Sequence, residues 1–343
     1  MWFDDIKLST EYNYVSSRIR LARNIQDVLF PGKLDGIASR SLVERILKET
    51  EGLPLPDEMS FSRILLEELS DVERRSMQEN RILNSTLVKK KTSTGLILSK
   101  EGNISIVVNG DDHIRLQLLS DGLHLHSLWK QAGAIDDSMN ERFDYAFHEK
   151  YGYLTTYPTN IGTGLRANIV LHLPVSSQSK GFAKLISGVG RFGVTIKGVY
   201  GEGRENFGSL YDISNPKTLG QTEKEILDTV IRVANQLNAN ETQLRRSVLK
   251  NDRIKKQDEV YKSYGVLRYA RKLALTDALE FISHVMMGVS DGLISLKNQD
   301  SLFGLMIAIQ PSNILKNSDR PLSKDEIEAA RADLIRSRLP DIL

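Results

Sequence analysis

The alternation of apolar and polar residues divides the chain into a strand-rich front and a helical rear. Residues 95–110, "GLILSKEGNISIVVNG", read as two strands about a Lys100–Asn103 turn, with Ile104, Ile106 and Val108 alternating in the second. "RANIVLHLP" (166–174) predicts a strand closed by Pro174. "VTIKGVYGEG" and "GSLYDISN", within 194–215, predict two more strands around a glycine-rich loop. Residues 41–49 predict a helix, with Ser41 and Glu44 as a capping pair and Leu42, Val43, Ile46 and Leu47 on one face. Strands joined by short turns imply an antiparallel sheet with helices packed on one side.

From about residue 221 the period becomes helical and stays so. "DALEFISHVMMG" places Ala278, Phe281, Ile282, Val285 and Met286 on one stripe behind an Asp277–Glu280 cap. "SKDEIEAARADLIRSRL" repeats the device with Ser323 and Glu326. The boundary falls near residue 244, entering the charged "RRSVLKNDRIKKQDE". The expected organisation is an α+β domain over 13–244, a large antiparallel sheet flanked by helices, followed by a helical domain over 245–343.

Composition narrows the function classes. Apolar residues make up 40% of the chain and charged residues 26%, ordinary for a folded protein. The net charge of +2 provides no global basic field for nucleic acid. The N-terminus carries acids where a signal peptide needs bases, and no run reaches the roughly 18 apolar residues of a membrane span. A cytoplasmic protein without nucleic-acid or membrane partners is expected. The absence of cysteine removes disulfides, zinc ribbons and thiol nucleophiles together.

Several motifs fail on context. "GVGRFG" (188–193) matches a dinucleotide fingerprint, but a helical segment precedes it and a strand follows, the reverse of what phosphate binding needs. Gly193 reads instead as a helix C-cap. His124 and His126 lack a third spaced ligand, so no protein-held metal site is expected.

The basic residues on strands and tight turns form a more coherent set. "VSSRIRLARN" carries Arg18 and Arg20 at spacing two, which a strand points to one face. "NGDDHIR" brings Arg115 beside Asp111 and Asp112, "GTGLR" delivers Arg166, and "KGVYGEG" offers Lys197 and Glu202. Such cations could converge on one polyphosphate, because the planar guanidinium fork binds phosphate oxygens bidentately and stays charged.

In this order and at these separations, "SSRIRLARN", "DDHIR", "YPTNIGTGLRA", "GVYGEG" and "LYDISN" resemble the phosphagen (guanidino) kinase superfamily, most closely its bacterial protein arginine kinases of the McsB type. The resemblance implies ATP- and Mg²⁺-dependent phosphorylation of arginine side chains in proteins. It further implies marking for a Clp ATPase and protease, a zinc-finger activator, and a homodimer by analogy. By position, it assigns nucleotide contacts to Ser16, Ser17, Arg18, Ile19 and Arg20, to Arg115, to Arg166, Ala167, Asn168, Ile169 and Val170, and to Lys197, Gly198, Val199, Tyr200, Gly201 and Glu202. Arg81 stands where the bacterial branch has a nucleotide-contacting histidine. Asp111, Glu202 and Arg166 take the catalytic places, and Tyr157 lies on the acceptor side.

The chain departs from the pattern at four places. Tyr157 replaces a usual cysteine, Asp111 a glutamate one methylene longer, and Lys197 an arginine. Near the C-terminus, Ile327 and Glu328 replace the first half of an Arg-Asp-x-x-Arg-Ala phosphoarginine pocket, leaving Arg331-Ala332. These changes motivate an alternative expectation, a catalytically weakened pseudokinase that binds nucleotide or protein partners as an adaptor.

Overall fold

The structure is a computed structural model of the chain and describes residues 1–4, 13–53, 60–201, 206–297 and 301–343. Its centre is an antiparallel sheet of eight strands. In chain order these are β1 (Tyr14–Arg23), β2 (Phe61–Leu65), β3 (Gly95–Ser99), β4 (Ile104–Val108) and β5 (Ile114–Asp121). After a small separate ribbon of β6 (Phe147–His148) and β7 (Gly152–Tyr153) come β8 (Leu165–His172), β9 (Thr195–Gly198) and β10 (Leu210–Ser214). The spatial order β2-β3-β4-β5-β1-β8-β10-β9 buries β1 in the middle, between β5 and β8.

Because side chains alternate across a strand, the sheet has two different faces. Ile19 and Leu21, Leu116 and Leu118, Ala167 and Ile169, and Ile213 turn into one continuous core. It is covered by α1 (Gly36–Glu49), α4 (Leu125–Asn140), α5 (Phe182–Val189) and the first half of α6 (Glu223–Tyr269). Helices also reach the opposite face, contrary to one-sided packing. There α2 (Asp71–Glu79) and α3 (Ser85–Lys89) enclose a small core containing Val107 and Leu87. At the other end, Val170 and Leu210 join the core of α7 (Leu275–Ser290), α8 (Leu302–Ala308) and α10 (Lys324–Arg338). The short α9 (Pro311–Lys316) closes the gap towards α2. Polar residues of the sheet lie between these two cores.

Several local expectations shift. Helix α1 starts five residues before Ser41 and is capped by Asp35, which accepts from Ala38 N at 2.8 Å, while Glu44 pairs with Arg40. Helix α7 begins at Leu275 without a side-chain cap, leaving Asp277 in its first turn. The Ser323–Glu326 capping box of α10 is present, and Gly193 has the left-handed conformation expected of a cap. Helix α6 runs unbroken across residue 244 and kinks at Asp252, where φ is −135°. The tertiary contacts of the rear helices therefore begin before any break in the chain.

Candidate active site

A cleft of about 1050 Å³ opens on the polar face of the sheet, walled by α2, the 157–166 turn and the start of α9. Strand alternation places Arg18 and Arg20 of β1, Arg115 of β5, Arg166 of β8 and Lys197 of β9 along it. Arg20 lies directly opposite Arg166 across the β1–β8 ladder. Like charges at such positions destabilise a sheet by ~0.2–1 kcal/mol. Burial, followed by repulsion from Arg20, brings the Arg18 guanidinium down to about 9. Burial and Arg115 bring Arg20 to about 10, and burial again lowers Arg115 to about 10. All three stay charged at neutral pH, and the Nε atoms of Arg18, Arg20 and Arg115 are buried without a hydrogen-bond partner. A polyanion in the cleft would engage the guanidinium groups and relieve their mutual repulsion together.

The turn before β8 is shaped by close approach. A Cβ on Gly164, whose φ is 66°, would sit 2.6 Å from the Ala22 carbonyl, and one on Gly162 would sit 2.7 Å from that of Thr218. The chain thus lies flat against its neighbours and feeds Arg166 into the cleft. Asn160 accepts from Arg166 Nε at 2.9 Å, and the Asn215 carbonyl accepts from its Nη1. The Asn215 side chain also accepts from Ala167 N and donates to Leu165 O, so one residue fixes the strand through its side chain and the arginine through its carbonyl. At the head of the turn Tyr157 is 47% exposed and lines the cleft mouth, where the charge of Asp111 raises its phenol.

The adjacent aspartates do different work. Asp112, 3% exposed, accepts from Asn24 Nδ2 at 2.8 Å and Thr156 N at 2.7 Å, pinning two loops together. Asp111 lines the cleft, held by Asn84 Nδ2 at 2.9 Å and lying 4.0 Å from Arg115. Asn84 is itself the N-cap of α3, so a helix end sets the orientation of this carboxylate. Lys90 donates to the carbonyls of Asn109 and Gly110 and holds the backbone leading to it.

Of the other assigned positions, Arg81, Asn168, Gly198, Val199 and Tyr200 also line the cleft. Ile19, Ala167 and Ile169 turn into the main core, and Val170 into the rear one. Ser16 is buried, and Ser17 donates to Gly122 O and accepts from His124 N. Gly201 is exposed, and Glu202 lies outside the described residues. His124 and His126 are exposed, and among the described residues no three His, Asp or Glu side chains converge as metal ligands. Arg331 is buried and donates to the carbonyls of Ile309 and Leu273.

Sequence reasoning missed Asp212, Asn84, Asn160, Arg75 and the 310–312 segment, all on the cleft wall. Asp212 had a signal: it stands between the buried Tyr211 and Ile213 of β10, on the parity of the polar face. Asn84, Asn160 and residues 310–312 come from loops and helix ends, which carry no such periodicity, and Arg75 lies mid-way along α2, whose facing partner the sequence does not give.

Residues 42–244 match the family ATP:guanido phosphotransferase, C-terminal catalytic domain, and residues 253–342 match the protein-arginine kinase McsB C-terminal domain. The protein-arginine kinase of Halothermothrix orenii is 36% identical over 95% of this chain and 92% of its own length. That of Clostridium novyi is 34% identical over 98% of both. Among solved structures, the duplicated taurocyamine kinase of Schistosoma mansoni superposes with a TM-score of 0.60 at 24% identity, over 68% of this chain and 34% of that one. A lombricine kinase superposes with a TM-score of 0.60 at 22% identity, over 70% and 69%. These two likenesses establish the fold. With family matches over front and rear and relatives aligned along nearly its whole length, the chain belongs to the ATP:guanido phosphotransferase family, in its protein-arginine kinase branch, and is a phosphotransferase for a guanidino acceptor.

Proposed function

We propose that the protein transfers the γ-phosphoryl group of ATP to arginine side chains of other proteins. The observation that carries this reading is the cleft itself: a cluster of guanidinium groups with unpartnered Nε donors, and at the same opening the carboxylate of Asp111. A triphosphate fits the cations, which would be Arg18, Arg20, Arg81, Arg115, Arg166 and Lys197. Magnesium, when bound with the nucleotide, supplies charge neutralisation along the phosphates. Its oxygen ligands would come mainly from the nucleotide and water, as is usual for this ion.

Phosphoryl transfer demands alignment and charge stabilisation more than covalent help from the protein. The arginines hold the transferring group as charge spreads over its oxygens. The acceptor guanidinium, with a pKa above about 12, becomes nucleophilic only as a proton leaves. Asp111 would orient it and take that proton while the new N–P bond forms and the bond to the leaving ADP oxygen breaks. Glu202 is proposed as the second carboxylate, and Tyr157 as a neighbour of the acceptor. Residues 13–244 would carry the chemistry and 245–343 regulation and dimerisation. The Clp-directed fate of the product, the zinc-finger activator and the homodimer rest on the family resemblance.

Incubation with ATP, Mg²⁺ and casein, followed by phosphoarginine detection without acid, tests the reading. Acid-labile phosphate on arginine that disappears in Asp111→Asn supports it. Retained ATP binding with no transfer, activator included, would point to the nucleotide-binding adaptor instead.

A further inference from the structure

Arg81 occupies a backbone conformation that glycine fills more readily. It follows the end of α2 with a φ of 65°. Its own N–H bonds Gln78 O and the next, of Ile82, bonds Met77 O, both at 2.9 Å. This is the hydrogen-bond pattern of a Schellman helix ending, where a left-handed residue is required. An arginine there sets a guanidinium on the cleft wall at the cost of local strain.

What holds the strained residue comes largely from the rear helices. Phe303 of α8 presents its ring 5.3 Å from the Arg81 guanidinium carbon. Two residues before Arg81, Glu79 accepts from the backbone N–H of Ser312 at 2.9 Å and of Asn313 at 2.8 Å, in the first turn of α9. Ser76 donates to Asn313 Oδ1 at 2.7 Å, and Asn313 donates to Asn80 at 2.9 Å. The last turn of α2 is thereby fastened to a segment more than 230 residues away in sequence. Gln117 of β5 completes the anchorage by donating to Arg81 O at 2.8 Å.

We infer that Glu79 is a positioning residue: by clasping α9 it fixes the Arg81 guanidinium in the cleft and makes the rear helices part of the nucleotide clamp. The inference rests on the proposal that the cleft binds ATP. Both Glu79 oxygens are engaged by backbone N–H groups, so its influence passes through α2 rather than through a direct ion pair.

The test measures ATP affinity of the full chain with a fluorescent ATP analogue, together with KM for ATP and kcat. Glu79→Ala should weaken binding about tenfold and raise KM, with kcat within about twofold, as expected for loss of binding that ground and transition states share. Glu79→Gln, which keeps one acceptor oxygen, should fall between. Ser70→Ala removes the cap at the other end of α2 and should lower Tm while leaving affinity within about twofold. In an Arg81→Ala background the Glu79→Ala loss should vanish, because two steps of one path are not additive. Equal weakening by Ser70→Ala, full additivity with Arg81→Ala, or wild-type affinity in both Glu79 variants would overturn the inference. If Glu79→Ala does not fold, Glu79→Gln decides against the same controls. A wild-type chain that binds no ATP would overturn the functional reading and this one with it.

Discussion

Arg18 and Asp212 form a 3.2 Å ion pair over the strand that separates them: Arg18 is on β1, Asp212 on β10, and β8 runs between. Asn168 of β8 lies under the bridge and donates to the other oxygen of Asp212 at 2.7 Å. Each side chain keeps 19% of its surface exposed, so the pair sits at the cleft floor, largely shielded from water. A carboxylate here restrains the arginine cluster before ligand arrives, then competes with the incoming phosphate. Asp212→Asn should cost the free protein on the order of 2 kcal/mol, since it leaves a charged donor less well paired. The same variant should gain more than wild type from added ATP, and thermal unfolding with and without nucleotide reads both effects.

Asp111→Asn keeps the shape and the contact to Asn84 but removes the proton acceptor. Transfer to arginine should fall about 10²–10⁴-fold, with ATP affinity little changed. Single-turnover transfer beside equilibrium nucleotide binding separates the two quantities. A parallel loss of binding would show that Asp111 acts on the clamp rather than on the acceptor.

Arg81→Gly sets stability against function at one residue. Glycine removes the left-handed strain and should raise stability by about 1 kcal/mol, visible as a higher midpoint in urea. It should weaken ATP at the same time. A variant both less stable and unaltered in ATP affinity would contradict the role assigned to this position.

Tyr157 stands at the cleft mouth with its phenol raised by the Asp111 charge, so it stays protonated at neutral pH. Tyr157→Phe should therefore transfer phosphate within about twofold of wild type. Tyr157→Ala removes a ring face that can attract the acceptor guanidinium, worth ~0.5–1 kcal/mol. KM for the protein substrate should rise a few-fold while KM for ATP holds. An equal change in both would place the tyrosine in general packing.

His172 ends β8 fully buried and bonded to Ser283 of α7 at 2.7 Å, joining the sheet to the rear helices. Burial first, then Arg245, lowers its pKa to about 3, well below the ordinary 6.5. The unfolded chain therefore takes up a proton below pH 6.5 that the folded chain refuses, and stability is complete above that pH and lost as pH falls. Between pH 7 and 5 the loss from this residue is about 2 kcal/mol. His172→Gln should flatten that limb of the urea-measured stability profile relative to wild type.

Strands β3, β4, β8, β9 and β10 were legible because each combines alternation with a bounding turn, and alternation follows from the two-residue repeat of an extended chain. The same repeat made Arg18 and Arg20 co-facial from sequence alone. The start of α1 was misplaced because Asp35 competes with Ser41 as a cap, and local pattern does not rank two acceptable caps. Covering helices on both faces were missed because an amphipathic stripe says that a helix is buried on one side, without saying against what.

The residue chemistry of the cleft was therefore written in the sequence: the spacing of the arginines, the paired aspartates, and the glycines that let the 157–166 turn lie flat. Which residues meet was decided by tertiary structure. Asp111 faces the cleft while Asp112 is tied to Asn24 and Thr156, a choice made by partners 88 and 27 residues earlier and 44 later. Asp212 reaches Arg18 only because β8 sits between their strands, and Glu79 reaches α9 only because the chain folds back over 233 residues. Local patterns follow from backbone geometry and short-range sterics, which sequence neighbours share. Convergence of distant side chains depends on sheet order and helix docking, which the whole fold settles at once.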